Sequence, residues 1–172
     1  MTFDTAGFPG FEVRGINHLA LVCSDMDRTV DFYSGVLGFP LVKKIELPHG
    51  FGQHFFFGLG NGDCLAFFWI PGSPGPAPGI AAPSGLPGTP GLLSAVGSMN
   101  HVAFDVDPEK IEGYRDRLVE HGIECTEVAN HDDSPDGVSR HMHPGVFMRS
   151  LYFFDPDGIL LEFSCWIGEK PF

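Results

Sequence analysis

The tetrapeptide Asn17-His18-Leu19-Ala20 recurs as Asn100-His101-Val102-Ala103. Each copy opens a segment with the same order of signals, so the chain reads as an internal duplication that must build one supersecondary unit twice. A short apolar strand comes first in each half, Ile16–Cys23 and Met99–Val106. A helix follows. Over 25–37, Met26, Val30, Tyr33 and Leu37 fall on one stripe at helical spacing, with Ser24 or Asp25 as cap and Gly38 as stop. In the second half Asp107 is the expected cap, Pro108 the first helical residue, and Ile111, Tyr114 and Leu118 the stripe, ended by Gly122.

Extended segments come next, at 39–46, 51–59 and 63–70 in the first half and at 124–129, 148–154 and 159–166 in the second. Gly60-Asn61-Gly62-Asp63 and Asp155-Pro156-Asp157-Gly158 join the last two of each set, since Asn-Gly and Asp-Gly tolerate the positive φ of tight turns. Each half therefore reads β-α-β-β-β, an α+β pattern. Residues 1–70 are the first module, 95–172 the second, and 71–94 a connecting loop. In that loop 13 of 24 positions are Pro or Gly and none is charged, which excludes a helix or a central strand. Its Ile80, Leu86, Leu92 and Leu93 point to an ordered flap.

The net charge of −12, from 10 basic against 22 acidic residues, repels phosphate backbones and anionic lipid, so nucleic acid and membrane surfaces are poor partners. An anionic substrate would need a local exception near Arg140 and Arg149. The 17 Phe fill a core or line an apolar pocket. Four cysteines form no CxxC pair, and Cys23, Cys64 and Cys165 lie in apolar runs, so a reducing cytoplasmic setting is expected.

Residues two apart on a strand share a face. His18 therefore lies with Ile16, Ala20 and Val22, and His101 with Met99, Ala103 and Asp105; the small alanines leave room for a ligand. Glu162 sits in the apolar run 158–163, where a carboxylate is costly unless it is paired or holds a cation. A single strand histidine is more often a hydrogen-bonded structural residue than a ligand. Two at equivalent points of a duplication, with an acid lacking a nearby basic partner, form a candidate two-His-one-carboxylate site. Such a set suits a divalent transition metal and leaves positions open for substrate or oxygen.

Asn-His-Leu-Ala, the run Asp31-Phe32-Tyr33-Ser34-Gly35-Val36-Leu37-Gly38-Phe39, and Tyr152-Phe153-Phe154-Asp155-Pro156-Asp157-Gly158 with Leu161-Glu162-Phe163 resemble the vicinal oxygen chelate superfamily. That group includes glyoxalase I, bleomycin-resistance proteins, fosfomycin-resistance transferases, epimerases and extradiol dioxygenases. The resemblance implies paired βαβββ modules forming a cupped mixed sheet with helices outside, a homodimer, and a divalent metal held by His18, His101 and Glu162. Fe(II) is favoured, with Mn(II), Zn(II) or Ni(II) as alternatives.

The glyoxalase I design places a further acid on the last strand of the first half. Overlaying Asp63–Phe68 on Asp157–Glu162 assigns Phe68 to that place, and phenylalanine moves no proton. Three protein ligands instead resemble the extradiol dioxygenases and fosfomycin transferases, with extradiol cleavage of a small aromatic diol the first expectation. Tyr152, ten residues before Glu162, is at the spacing of the extradiol tyrosine that hydrogen-bonds substrate. The acid–base histidine of those enzymes is missing at Gly62-Asp63, and His54 is the candidate replacement. His141 and His143 are expected at the surface. The alternatives are a glyoxalase-like lyase, an epimerase, a thiol transferase, or a non-catalytic drug-binding protein.

Overall fold

In a computed structural model of the chain, the described residues are 15–77, 94 and 96–168. They fall into two compact units, residues 1–73 and 74–172. Most of the expected 71–94 flap lies outside the described residues.

The first unit is β1 (His18–Val22), α1 (Met26–Val30), β2 (Leu41–Leu47), β3 (Gly52–Gly58) and β4 (Cys64–Trp69), in the sheet order β1-β4-β3-β2. β1 runs parallel to β4, and the other pairs are antiparallel. Asp25 caps α1, its carboxylate accepting from the Arg28 amide at 2.9 Å. The helix then widens into a π turn over Asp31–Val36, closed by the Leu37 amide donating to the Phe32 carbonyl at 3.0 Å. The expected single stripe does not survive this widening. An extra residue in the turn changes the face presented, so Met26, Thr29, Phe32 and Tyr33 are buried while Val30 and Leu37 are only half-buried.

Tyr33, 0% exposed, centres this core, its ring 4.8 Å from that of Phe67, 5.1 Å from Phe32 and 5.6 Å from Phe57. Leu65 and Phe55 extend the same face of the sheet. The opposite face carries His18, Ala20, Cys64, Ala66, Phe68, His54 and Phe56, as strand alternation and pairing register require. β2 is an edge strand, and its irregularity between Leu41 and Lys43 together with Lys43 and Lys44 discourages further pairing.

Gly52 opens β3 with φ +127, and a Cβ there would stand 2.0 Å from the Trp69 carbonyl oxygen. Backbone cannot yield as a flexible side chain does. Gly52→Ala is expected to cost about 2–4 kcal/mol of stability, read as a lowered urea midpoint with an unchanged m value.

The second unit repeats the plan with β5 (Val102–Asp105), α2 (Ile111–Glu120), β6 (Ala129–His131), β7 (Val138–Ser139), β8 (Met148–Phe154) and β9 (Leu160–Trp166). The order is β5-β9-β8-β6-β7, with β5 parallel to β9. Asp107 caps a single turn, accepting from the Glu109 amide at 2.9 Å, and the regular helix begins only at Ile111. The strand expected at 124–129 is reduced to one bridge, Cys125 with Phe153, and pairing resumes at Ala129. The short β6–β7 hairpin is additional. Ile111 and Leu118 on α2 are buried with Phe104, Leu151, Phe153, Leu161 and Phe163. Among the described residues, no helix is long and apolar enough to cross a membrane.

Candidate metal centre

In the second unit, β9 and its neighbours gather a polar group on the sheet face opposite α2. Register puts Glu162 beside Ala103 on β5 and Tyr152 on β8, with Ser164 beside Ser150. His101, immediately before β5, brings its Nε2 to 2.9 Å from Glu162 Oε2. The other ring nitrogen, Nδ1, lies 2.6 Å from Asn100 Oδ1. Both nitrogens thus face oxygen acceptors, and the metal-free ring is best satisfied as imidazolium.

The ionisations follow this geometry. The hydrogen bond to Glu162 raises the His101 pKa above its ordinary value, against the opposing effect of burial. Burial pushes Glu162 upward, but the hydrogen bond from His101, helped by the nearby Ser150 and Ser164 hydroxyls, outweighs it and holds the carboxyl below the usual range. Tyr152 is pushed up to about 12, first by burial and then by the Glu162 charge. The buried Ser150 hydroxyl is near enough to favour the charged forms of both acids, yet it completes no regular hydrogen bond of its own.

The donor chemistry fits a divalent ion. An imidazole nitrogen and a carboxylate oxygen stand 2.9 Å apart on one sheet face, a donor pair that suits divalent transition metals.

Linkage gives the pair a pH signature in the metal-free chain. A raised His101 pKa supplies stability that is complete below the unfolded imidazole value and disappears as pH rises through the folded one. A lowered Glu162 pKa supplies stability that is complete above the unfolded carboxylate value and disappears as pH falls through the folded one. The Tm difference between wild type and His101→Gln, without metal, is therefore expected to be largest between about pH 4.3 and 6.5 and to shrink on both sides.

In the first unit, His18 Nδ1 lies 2.7 Å from Asn17 Oδ1, repeating the Asn100–His101 contact. His54 is buried and stacked on Phe68, with ring centroids 3.6 Å apart, and its Nδ1 donates to the Phe67 carbonyl at 3.2 Å. His18 stands edge-on to both His54 (6.5 Å) and Phe56 (5.6 Å). His54 thus joins the His18 face through the pairing of β1 and β3 with β4.

The pairing corrects one sequence assignment. Ala20 pairs with Ala66 as Ala103 pairs with Glu162, so Ala66, and not Phe68, occupies the position equivalent to Glu162. Gly62 (φ +84) and Gly158 (φ +85) are the matching turn positions. The Leu59 amide donates to the Asp63 carbonyl just as the Asp155 amide donates to that of Ile159. Aligning Asp63 with Asp157 slipped the hairpin by two residues; aligning Asn61-Gly62 with Asp157-Gly158 gives the observed register. Phe68 is the counterpart of Ser164, His54 of Ser150, and Phe56 of Tyr152. There is still no carboxylate at the equivalent position.

Arg149 offers no free anion site. It is committed to Glu112 and, at 3.0 Å, to Asn130 Oδ1. Arg140 and His141 are exposed, and exposed His143 donates from Nε2 to Asp132 at 2.9 Å. Sequence reasoning missed Ser150, Ser164 and the two asparagine contacts. The repeated Asn-His pair was the available signal for the last. Among the described residues, no three His, Cys, Asp or Glu side chains cluster as a ready-made metal site.

Comparison with known proteins places this arrangement in a family. The chain is 27% identical over 150 residues to the metallothiol transferase FosB of Shouchella clausii, covering 87% of this chain and 79% of that protein. It is 24% identical over 160 residues to Glyoxylase I 4 of Arabidopsis thaliana, covering 92% and 74%. Among solved structures, a glyoxalase family protein from Enterococcus faecalis shares 28% identity at a TM-score of 0.60, covering 88% of this chain and 97% of that one. Residues 15–163 match the model of one family across both duplicated halves: the chain belongs to the Glyoxalase/Bleomycin resistance protein/Dioxygenase superfamily, the vicinal oxygen chelate group, whose members are mostly metalloenzymes.

Proposed function

We propose that the chain is a divalent-metal-dependent enzyme acting on a small oxygenated substrate, with His18, His101 and Glu162 as the metal ligands and Fe(II) the first candidate ion. The observation that carries this reading is the buried Glu162 carboxylate facing His101 Nε2 at 2.9 Å on an otherwise apolar strand. When bound, the ion supplies Lewis-acid polarisation of two adjacent substrate oxygens. Tyr152, with its pKa pushed up to about 12, keeps its proton at neutral pH and donates a hydrogen bond to a substrate oxygen. His54 donates from Nδ1 to the Phe67 carbonyl, which leaves Nε2 as a basic electron pair for proton transfer. The stacked His54–Phe68 pair and the inclined Phe56 ring make this sheet face aromatic, which favours an aromatic substrate and hence extradiol-type cleavage of an aromatic diol.

Likeness to a metallothiol transferase supports a second reading, transfer of a thiol to an electrophilic oxygenated compound. Ala66, at the position equivalent to Glu162, leaves no acid there for glyoxalase I chemistry. The test is anaerobic metal loading followed by two assays. Oxygen uptake with a catechol panel supports the diol reading, and oxygen-independent thiol consumption with an epoxide panel supports the transferase. A chain that binds none of Fe(II), Mn(II), Zn(II) or Ni(II) overturns both. Function as a homodimer is part of the proposal, and sedimentation equilibrium reads it.

A further inference from the structure

We propose that Asn17 and Asn100 are positioning residues, each holding the Nδ1 proton of the histidine that follows so that the ring presents Nε2 to a divalent cation. The inference rests on the ligand assignment above. Its support is local and occurs twice. Asn17 Oδ1 lies 2.7 Å from His18 Nδ1, and Asn100 Oδ1 lies 2.6 Å from His101 Nδ1. Both contacts join neighbouring residues at the entry to an edge strand.

An amide oxygen only accepts, so each ring nitrogen in these contacts carries the hydrogen. In the second copy the amide's orientation has an independent anchor: Asn100 Nδ2 donates to Ser94 Oγ at 3.0 Å, which turns Oδ1 toward the ring. In the first copy the backbone is anchored instead, with the Cys64 amide donating to the Asn17 carbonyl at 3.2 Å. A neutral imidazole has one proton, and fixing it at Nδ1 leaves the electron pair at Nε2. For His101 that is the nitrogen facing Glu162. Exposed side chains at a strand entry would otherwise sample both tautomers and several ring rotations. The asparagine removes that freedom before a cation arrives. Loss of such an outer partner weakens metal binding by about 10–100-fold.

A purely structural role would lower stability without changing the tautomer. The deciding measurement is therefore ring ¹⁵N chemical shifts in the metal-free chain at pH 8.5, for wild type, Asn17→Ala and Asn17→Asp, with thermal unfolding followed in parallel. His18 is expected to be protonated at Nδ1 in wild type, to shift toward Nε2 protonation in Asn17→Ala, and to return in Asn17→Asp, whose carboxylate also accepts. Zinc titration against a competing chelator should show the 10–100-fold loss in Asn17→Ala and Asn100→Ala, with recovery in Asn17→Asp. A wild-type His18 protonated at Nε2, or a tautomer unmoved by Asn17→Ala, overturns the proposal. Nδ1 protonation in a wild-type chain that binds no zinc would remove the ligand assignment while leaving the Asn–His lock in place.

Discussion

Glu162→Gln is expected to lower divalent-metal affinity by more than about 100-fold, exceeding the 10–100-fold typical of losing an outer-shell partner. Glutamine keeps the volume and one oxygen but removes the negative charge. A neutral amide oxygen at the same place is a far weaker donor to a transition metal than a carboxylate. The substitution also removes the charged acceptor that favours the protonated form of His101 in the metal-free chain, leaving only a neutral one. His101 then sheds its proton, so no uncompensated charge is left behind, and the buried site can accept the change without unfolding. Elemental analysis after metal loading, with calorimetric titration and circular dichroism on the same samples, checks it. Unchanged metal content in a folded Glu162→Gln protein would remove Glu162 from the ligand set.

Tyr33→Ala is expected to cost about 3–5 kcal/mol, the range for deleting a large aromatic side chain from a packed core. Tyr33 is 0% exposed and touches the rings of Phe32, Phe57 and Phe67, which join the π turn to two strands of the first unit. Few nearby side chains can move into the resulting void, because those rings are themselves buried. A typical domain has only about 5–15 kcal/mol of net stability, so the loss is a large fraction of it. Urea denaturation should show the fall in midpoint. Tyr33→Phe, which keeps the ring, should lose much less. If the alanine variant were within about 1 kcal/mol of wild type, well below the usual range for such a deletion, the ring cluster would not be the keystone of this unit.

The duplicated Asn-His tetrapeptide, the strand-helix-strand order and the turn glycines were legible in the sequence, and the two units follow that order. The sequence put Glu162 among apolar neighbours, as found, whereas only the pairing of β1 and β3 with β4 puts His54 on the face of His18. Departures occur where local spacing competes with longer-range packing. The π turn arises because burying both Phe32 and Tyr33 outweighs continuing one regular stripe. The 124–129 strand keeps one isolated bridge before regular pairing starts at Ala129. The Phe68 assignment failed because two Asp residues looked equivalent, whereas the positive-φ glycines set the hairpin register.

What the amino-acid order determined alone was periodicity and chemistry: which residues alternate, where φ must turn positive, and which donors occur in a repeated frame. These are local properties, written within a few residues of each other. Tertiary pairing alone decided that Ala66 stands where the second unit has Glu162, that Ser150 and Ser164 flank that carboxylate, and that His101 lies within 2.9 Å of it. Those facts depend on which strands lie side by side and in what register. Register is a collective outcome of burying one face of each sheet, and no short window of sequence contains it.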